Sequence, residues 1–254
     1  MNKHLIHIGL AAAAVAAPLL LTTSGCGRET GTPSRLTIPG YRSKPVFEET
    51  FTAESKSWIL EGNGVATITP DGRLRVYENP GSEGAMLWIN RELSGSFLIE
   101  YEVELPDTNG MNVVHFCAQS IPGKNFFQRG SERTGRIEEY SQGDLESYQI
   151  SYHVYTPEGQ HDNSSRLRRN PGSLLLSRKS PDPCIQNRYY LIHIAKTGNR
   201  IQFFVDKEKV HDLRDRGAFG DVYSEGKLGV WVHGQPEHFT TYLNNIRIYS
   251  LIPE

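Results

Sequence analysis

Two carboxylates stand five residues apart at Glu139 and Asp144, beside Tyr140 and among arginines. Hydrolysis of a glycosidic bond uses two carboxyl groups, one to protonate the leaving oxygen and one as base or nucleophile. This pair fits that chemistry in residue type. Tyr152, His153 and Arg168 suggest another reaction. Elimination from a uronate needs a Tyr or His to move a proton and a cation or donor to hold the enolate. Period two puts Tyr152 and His153 on opposite faces of a strand, so at most one of them faces a given cleft. The run Arg168-Arg169-Asn170-Pro171-Gly172 ends in a turn that offers a guanidinium to a carboxylate, to a sulfate or simply to solvent. Trp231 and His233 share the strand face opposite Val230 and Val232. The valines read as core, and Trp231 as a sugar platform or as a ring packed against the second sheet. Glu100, Glu102 and Glu104 alternate along one strand and read as a solvated or cleft-lining face.

Glu139, Asp144, Arg133 and Tyr140 all fall in residues 120–187, the irregular part of the chain. Mixed charge there is compatible with a solvated loop. Yet Phe126, Phe127, Tyr140, Tyr148, Tyr152 and Tyr155 are interleaved with the charges. Rings beside Arg and carboxylates are what a sugar cleft needs, because C–H faces stack on rings and hydroxyls take charged partners. Loops of this length inside a domain are functional or disordered.

The elements that must position these residues are strands. Of 254 residues, 24 are Gly and 14 are Pro, and 10% are aromatic. Short β-type runs with turn signals between them recur from residue 46 onward, at 65–69, 74–77, 85–89, 97–105, 111–119, 148–155, 174–177, 189–196, 200–206, 227–233 and 239–249. No sustained apolar stripe of helical period occurs. About a dozen strands and almost no helix predict an all-β, two-sheet sandwich with long loops between 120 and 187. The composition excludes a collagen, a coiled coil and a disordered acidic tail. A formal charge of -2 argues against nucleic acid as the main partner.

Residues 1–25 read as an export signal, with Lys3 ahead of an Ala-rich apolar run. Thr23-Ser24-Gly25-Cys26 resembles a bacterial lipobox, which makes Cys26 the lipidated residue and the membrane a partner through that lipid. Gly27 after the Cys resembles the default for sorting to the outer membrane, so the expected location is exported, anchored to the outer membrane or facing the periplasm. Residues 26–45 are polar and Pro/Gly-rich and read as a flexible tether, leaving 46–254 as one domain. Cys117 and Cys184 suit either a disulfide or two free thiols.

The order Phe47-x-x-x-Phe51, Trp58, Asp71-Gly72-Arg73-Leu74 and Ser96–Glu100, then 189–206, Gly226–Trp231 and Asn244–Ile248, resembles the concanavalin A-like lectin/glucanase jelly roll. Within it, Arg133-Thr134-Gly135, Glu139-Tyr140, Gly143-Asp144, Ser151-Tyr152 and Leu167-Arg168 resemble the YesU-like domain-of-unknown-function family. That resemblance implies a jelly-roll sandwich with a carbohydrate role, in loci for plant-type polysaccharide breakdown that include rhamnogalacturonan. It supplies no reaction. The Glu-x-Asp-x-x-Glu run of the glucanases is absent, as are the Gln-x-His and Tyr-x-Lys-x-Gly runs of alginate-lyase jelly rolls.

The expectation is therefore an exported lipoprotein that binds, and cleaves as hydrolase or lyase, a polysaccharide or its oligosaccharides. The alternative is capture without cleavage. Glu139, Asp144 and Tyr152 are the catalytic candidates, and Arg133, Tyr140, His153, Arg168 and Trp231 the substrate-binding ones. No cofactor and no metal site are expected. Some superfamily members hold a structural calcium, for which Glu49 and Asn245 stand in plausible places, but Asn in place of Asp weakens that claim.

Overall fold

The computed structural model describes residues 34–51, 57–127, 133–185, 188–234 and 239–254. Among them the strands are β1 (Tyr41–Glu49), β2 (Trp58–Gly62), β3 (Gly64–Ile68), β4 (Leu74–Glu78), β5 (Ala85–Ser94), β6 (Phe97–Glu104), β7 (Gly110–Ser120), β8 (Leu145–Tyr152), β9 (Ser165–Asn170), β10 (Leu174–Lys179), β11 (Tyr189–Thr197), β12 (Arg200–Val205), β13 (Glu208–Arg214), β14 (Glu225–Gly234) and β15 (Thr240–Pro253). One five-residue helix, α1 (Ile137–Ser141), stands between β7 and β8.

The strands form two antiparallel sheets. Sheet A runs β13-β12-β11-β6-β15-β4-β3, with β1 also on β15; sheet B runs β10-β9-β8-β7-β14-β5-β2. Strand β15 takes β6 along one edge. Its other edge takes β4 over Thr240–Leu243 and then β1 over Ile246–Pro253. The β-branched and aromatic residues explain why these segments extend, and their period of two decides which face is buried. Val76, Leu87, Ile99, Val114, Ile150, Ile194, Phe203, Val230 and Ile248 meet between the sheets. Each enclosed side chain of this size stabilises the fold by about 1.5–3 kcal/mol. Cys117 and Cys184 are free thiols in the same layer.

The folded domain starts earlier than the Pro/Gly content suggested. Residues 41–45, expected in the tether, form the first half of β1 and pair with β15. Proline breaks the ladder only locally, as a register shift between Pro45 and Phe47, because it lacks an N–H. Residues 34–40 lie across the outer face of sheet A. Ile38 packs there with Leu98, Ala195, Phe204, Tyr249 and Leu251, and the Arg35 guanidinium reaches Glu102 at 2.5 Å. The leader, Cys26 and the rest of the expected tether lie outside the described residues. No helix among the described residues is long and apolar enough to cross a membrane.

Candidate functional site

Alternation along the strands of sheet B sends one side-chain set into the core and the other to the outer face. In β14, Leu228, Val230 and Val232 go inward, so Trp231 goes outward, as the sequence suggested. The outward set lines up in rows. One row crosses Trp88 (β5), Gly229 (β14), His115 (β7), Gln149 (β8) and Arg168 (β9). A parallel row crosses Glu61, Met86, Trp231, Val113, Ser151, Arg166 and Arg178. The first row passes from an indole, through an imidazole and an amide, to a guanidinium.

Glycine at 229 is required by the row itself. A Cβ there would lie 2.4 Å from the Trp88 ring, so only glycine lets the indole lie across the strand. The indole meets His115 at 6.3 Å, Tyr140 at 6.1 Å and Phe126 at 4.8 Å between centroids. His115 is fully buried, and burial lowers its pKa to about 3, so it is neutral at ordinary pH. Its Nδ1 lies 3.1 Å from the Ser147 hydroxyl, which also receives the Asn170 amide at 3.0 Å. A second Asn170 N–H bond, 3.0 Å, reaches Gln149. Nε2 of His115 and Oδ1 of Asn170 have no hydrogen-bonding partner among the described residues. The Tyr140 hydroxyl lies near the Glu61 carboxylate without a well-aligned hydrogen bond to it.

A cover made by residues 121–127 and 133–144 closes the aromatic end of this face. Arg133 holds it down, pairing with Glu61 at 2.9 Å and donating to the Phe126 carbonyl at 3.2 Å. Glu61 also accepts the Trp88 indole N–H at 2.8 Å. Glu139 ties the turn before α1, accepting from the Thr134 hydroxyl at 3.2 Å and the Gly135 N–H at 3.1 Å. The Gly135 carbonyl in turn receives the Trp231 indole N–H at 2.6 Å. Gly135 sits at φ +103, and a Cβ on it would meet the Gly84 carbonyl at 2.0 Å. At the other end of α1, the Ser141 carbonyl receives Gly172 N–H at 2.8 Å and Ser173 N–H at 3.2 Å, which docks the β9–β10 turn onto the cover.

The expected site residues divide into three groups. Glu139, Asp144, Arg133 and Tyr140 come together on the cover, with Asp144 3.7 Å from Arg133 and its side chain 38% exposed. The Tyr140 ring is turned inward from the cover and Trp231 lies beneath it, 0% and 1% exposed, so neither presents a ring face to solvent. Arg168 lies on the outer face of β9. Its recorded bond is to the Ser173 carbonyl at 3.1 Å, and no described carboxylate lies within ion-pair distance of it. Burial, with Arg166 beside it, lowers the Arg168 pKa.

Tyr152 and His153 are elsewhere. Tyr152 faces the core, where its hydroxyl meets the Tyr101 hydroxyl at 2.8 Å and burial raises its pKa well above the ordinary value. A phenol enclosed between two sheets cannot act on a polysaccharide, so the catalytic expectation for Tyr152 is withdrawn. Strand β8 ends at Tyr152, and His153 turns at φ 52 into the end of the sandwich. There its backbone N–H donates to Asp182 at 2.6 Å and its Nε2–H to the Asp107 carbonyl at 2.6 Å, which takes it away from the cover.

The Glu100, Glu102, Glu104 face is the outer face of sheet A, and cations neutralise it. Burial alone would raise the Glu100 pKa, but His193, the Arg35 N–H and the Arg35 charge bring it down to about 2. Arg247 adds a bond to Glu100 at 3.2 Å, and Glu104 pairs with Arg73. Glu49 is bonded to Phe51 N–H and Ser57, and Asn245 to Glu102. No group of three metal-type ligands occurs among the described residues.

Sequence reasoning did not single out His115, Ser147, Gln149 or Asn170. The signal was present as period two: Ser147, Gln149 and Ser151 alternate with Tyr148, Ile150 and Tyr152, just as Val113 and His115 alternate with Val114 and Phe116.

Two packed antiparallel sheets, with a polar row on the outer face of one, make a jelly-roll β-sandwich of the concanavalin A-like, galectin-like fold. The chain belongs to the family described as Domain of unknown function (DUF1961), whose profile matches residues 46–241. It is similar to the uncharacterized protein YesU of Bacillus subtilis (strain 168), 22% identical over 184 residues, covering 70% of this chain and 83% of the relative. It is similar in structure to a protein of unknown function with galectin-like fold from Bacillus subtilis, at TM-score 0.75 and 19% identity, over 84% of this chain and 100% of the other. The carbohydrate binding module CBM66 from Bacillus subtilis matches at TM-score 0.52 and 17% identity, over 79% of this chain and 99% of the other.

Proposed function

We propose that this chain binds an acidic polysaccharide, or its oligosaccharides, on the outer face of sheet B. The observation that carries the reading is the row ending at Gln149 and Arg168. A guanidinium with no carboxylate partner among the described residues closes a line of indole, imidazole and amide, and such a fork suits a uronate carboxylate or a sulfate. The fold shared with a carbohydrate binding module supports it, as does the implied link of YesU-like proteins to plant-type polysaccharide loci.

The lipobox-like Thr23–Cys26 adds an exported protein held by lipid at Cys26, with the outer membrane or the periplasm as its place. Cleavage is the second reading. It is favoured by Asp144, a part-exposed carboxylate beside Arg133 on the edge of the same face. Glu139 is committed to Thr134 and Gly135, which suits a structural carboxylate better than a proton donor.

Binding is tested by titrating the chain with oligogalacturonate, κ-carrageenan oligosaccharide and β-glucan oligosaccharide. Binding of an acidic member that weakens about tenfold or more in Arg168→Ala supports the reading. No binding of any acidic glycan overturns it. Cleavage is read from new reducing ends or, for elimination, from absorbance near roughly 235 nm, the signature of the conjugated product of proton removal. Full turnover in Asp144→Asn would remove Asp144 from the reaction.

A further inference from the structure

A cavity of about 450 Å³ opens at one end of the sandwich, lined by Gln119, Glu146, Pro171, Leu174, Phe219 and Tyr223 among others. One wall is the loop between β13 and β14, residues 215–224. That loop is fixed from beneath. Arg169, 3% exposed, donates to Asp215 at 3.0 Å and to the Asp221 carbonyl at 2.7 Å, and lies 3.9 Å from the centroid of the Tyr223 ring. Asp215 also accepts the Tyr148 hydroxyl at 2.6 Å and the Gly217 N–H at 2.9 Å. Between these anchors, Phe219 stands 51% exposed at the rim. A pinned loop that holds a half-exposed ring over a cavity, opposite a carboxylate and an amide, has no core to serve.

We propose that this cavity is a second sugar subsite. The Phe219 ring takes the C–H face of a pyranose, while Glu146 accepts from hydroxyls and Gln119 both accepts and donates. The inference rests on the reading of sheet B as the glycan face, and Asn170 joins the two places. Its side-chain amide donates to Ser147 and Gln149 on the face, and its carbonyl receives the Tyr223 hydroxyl at 2.8 Å at the cavity wall. One oligosaccharide thus runs from Arg168 past the β9–β10 turn to Phe219. Arg169 also lines the cavity, but Asp215 neutralises it, so the Glu146 carboxylate repels a second acid; the unit at Phe219 is neutral while the unit at Arg168 is acidic. The ligand class is a heteropolysaccharide with both kinds of unit.

The experiment is calorimetric titration of the purified chain with the disaccharide and tetrasaccharide of an alternating uronate–neutral-sugar polymer, and with a tetrasaccharide of uronate alone. The wild type should prefer the alternating tetrasaccharide. Phe219→Ala should weaken that tetrasaccharide about three- to tenfold, the scale of one lost ring contact, and leave the disaccharide unchanged. Glu146→Gln, which keeps side-chain volume, should improve the all-uronate tetrasaccharide. If both variants leave these ratios unchanged while Arg168→Ala weakens every acidic ligand, the subsite is overturned and the face stands. If the wild type binds no acidic oligosaccharide, the underlying reading falls and the subsite with it.

Discussion

The Arg133 guanidinium and the Glu61 carboxylate pair at 2.9 Å across 72 positions of chain, with side chains only 10% and 15% exposed. That pair is where the cover is fastened to sheet B. Removing one partner leaves the other charge enclosed beside Phe126 and Trp88. Arg133→Ala should therefore destabilise the protein by about 2–4 kcal/mol, measured by urea unfolding. An unchanged midpoint would show that the cover is held without this pair.

Gly135→Ala should be more damaging than an ordinary loop substitution. Its φ is +103 and the new Cβ would lie 2.0 Å from the Gly84 carbonyl, a backbone atom that cannot swing aside. The expected cost is about 3 kcal/mol or more, with loss of glycan binding. Gly72→Ala is the control. It also has positive φ, +80, but meets nothing within 4 Å, and should cost only about 1 kcal/mol. Equal melting temperatures for the two variants would contradict the crowding argument.

His211 sets a pH prediction. Ser165 already donates to the Ser151 carbonyl at 3.0 Å, so His211 Nε2 donates to Ser165 at 3.0 Å, and Nδ1 accepts from Ser177 at 2.9 Å. That arrangement needs a neutral ring. Burial, with Lys179 adding to it, lowers the His211 pKa to about 4, and burial brings His153 to about 4 and His115 to about 3. Because the unfolded chain binds these protons first, stability is full above about pH 6.5 and falls as pH drops toward 4, by up to about 1.4 kcal/mol per pH unit for each histidine. Glu100, brought down to about 2, adds a further loss of stability as pH falls below about 4.5. His211→Gln should flatten the curve between pH 4 and 6.5 in urea titrations. A curve as steep as the wild type's would exclude His211 as a contributor.

Cys117 and Cys184 should be silent to thiol reagents in the folded protein. Burial raises the Cys117 thiol to about 12 and the Cys184 thiol well above its ordinary value, so neither forms a thiolate near neutral pH. A disulfide-exchange reagent should label them only after denaturant is added. Fast labelling without denaturant would show that the core opens locally.

The strands of the sandwich were legible wherever apolar and polar residues alternate, as in Phe97–Glu104 and Arg200–Val205. Strand β9 escaped because Ser-Arg-Leu-Arg-Arg-Asn carries one apolar residue, and its inward Arg169 is satisfied by Asp215 instead of by packing. Strand β13 escaped because charged residues dominate an edge strand, where one row of backbone groups is unpaired. In the site, the motif residues Arg133, Glu139 and Asp144 could be named but not placed. Their positions depend on Gly62, Gly84 and Gly135 coming together from three distant segments, and no local spacing encodes that approach. Trp231 was assigned to the correct face, but the sequence held no sign that Gly135 would roof it.

The pairing of β15 also fixes when the protein can fold. Strand β6 reaches β4 and β1 only through residues 240–253, and β7 reaches β5 only through residues 225–234. Neither sheet can close on the ribosome before these segments have emerged. Until then β3–β4, β7–β8–β9–β10 and β6–β11–β12–β13 can pair only as separate pieces, and β4, β5, β6 and β7 keep unpaired edges. A chain cut before residue 225 lacks an inner strand of both layers and should be degraded rather than persist as a smaller domain.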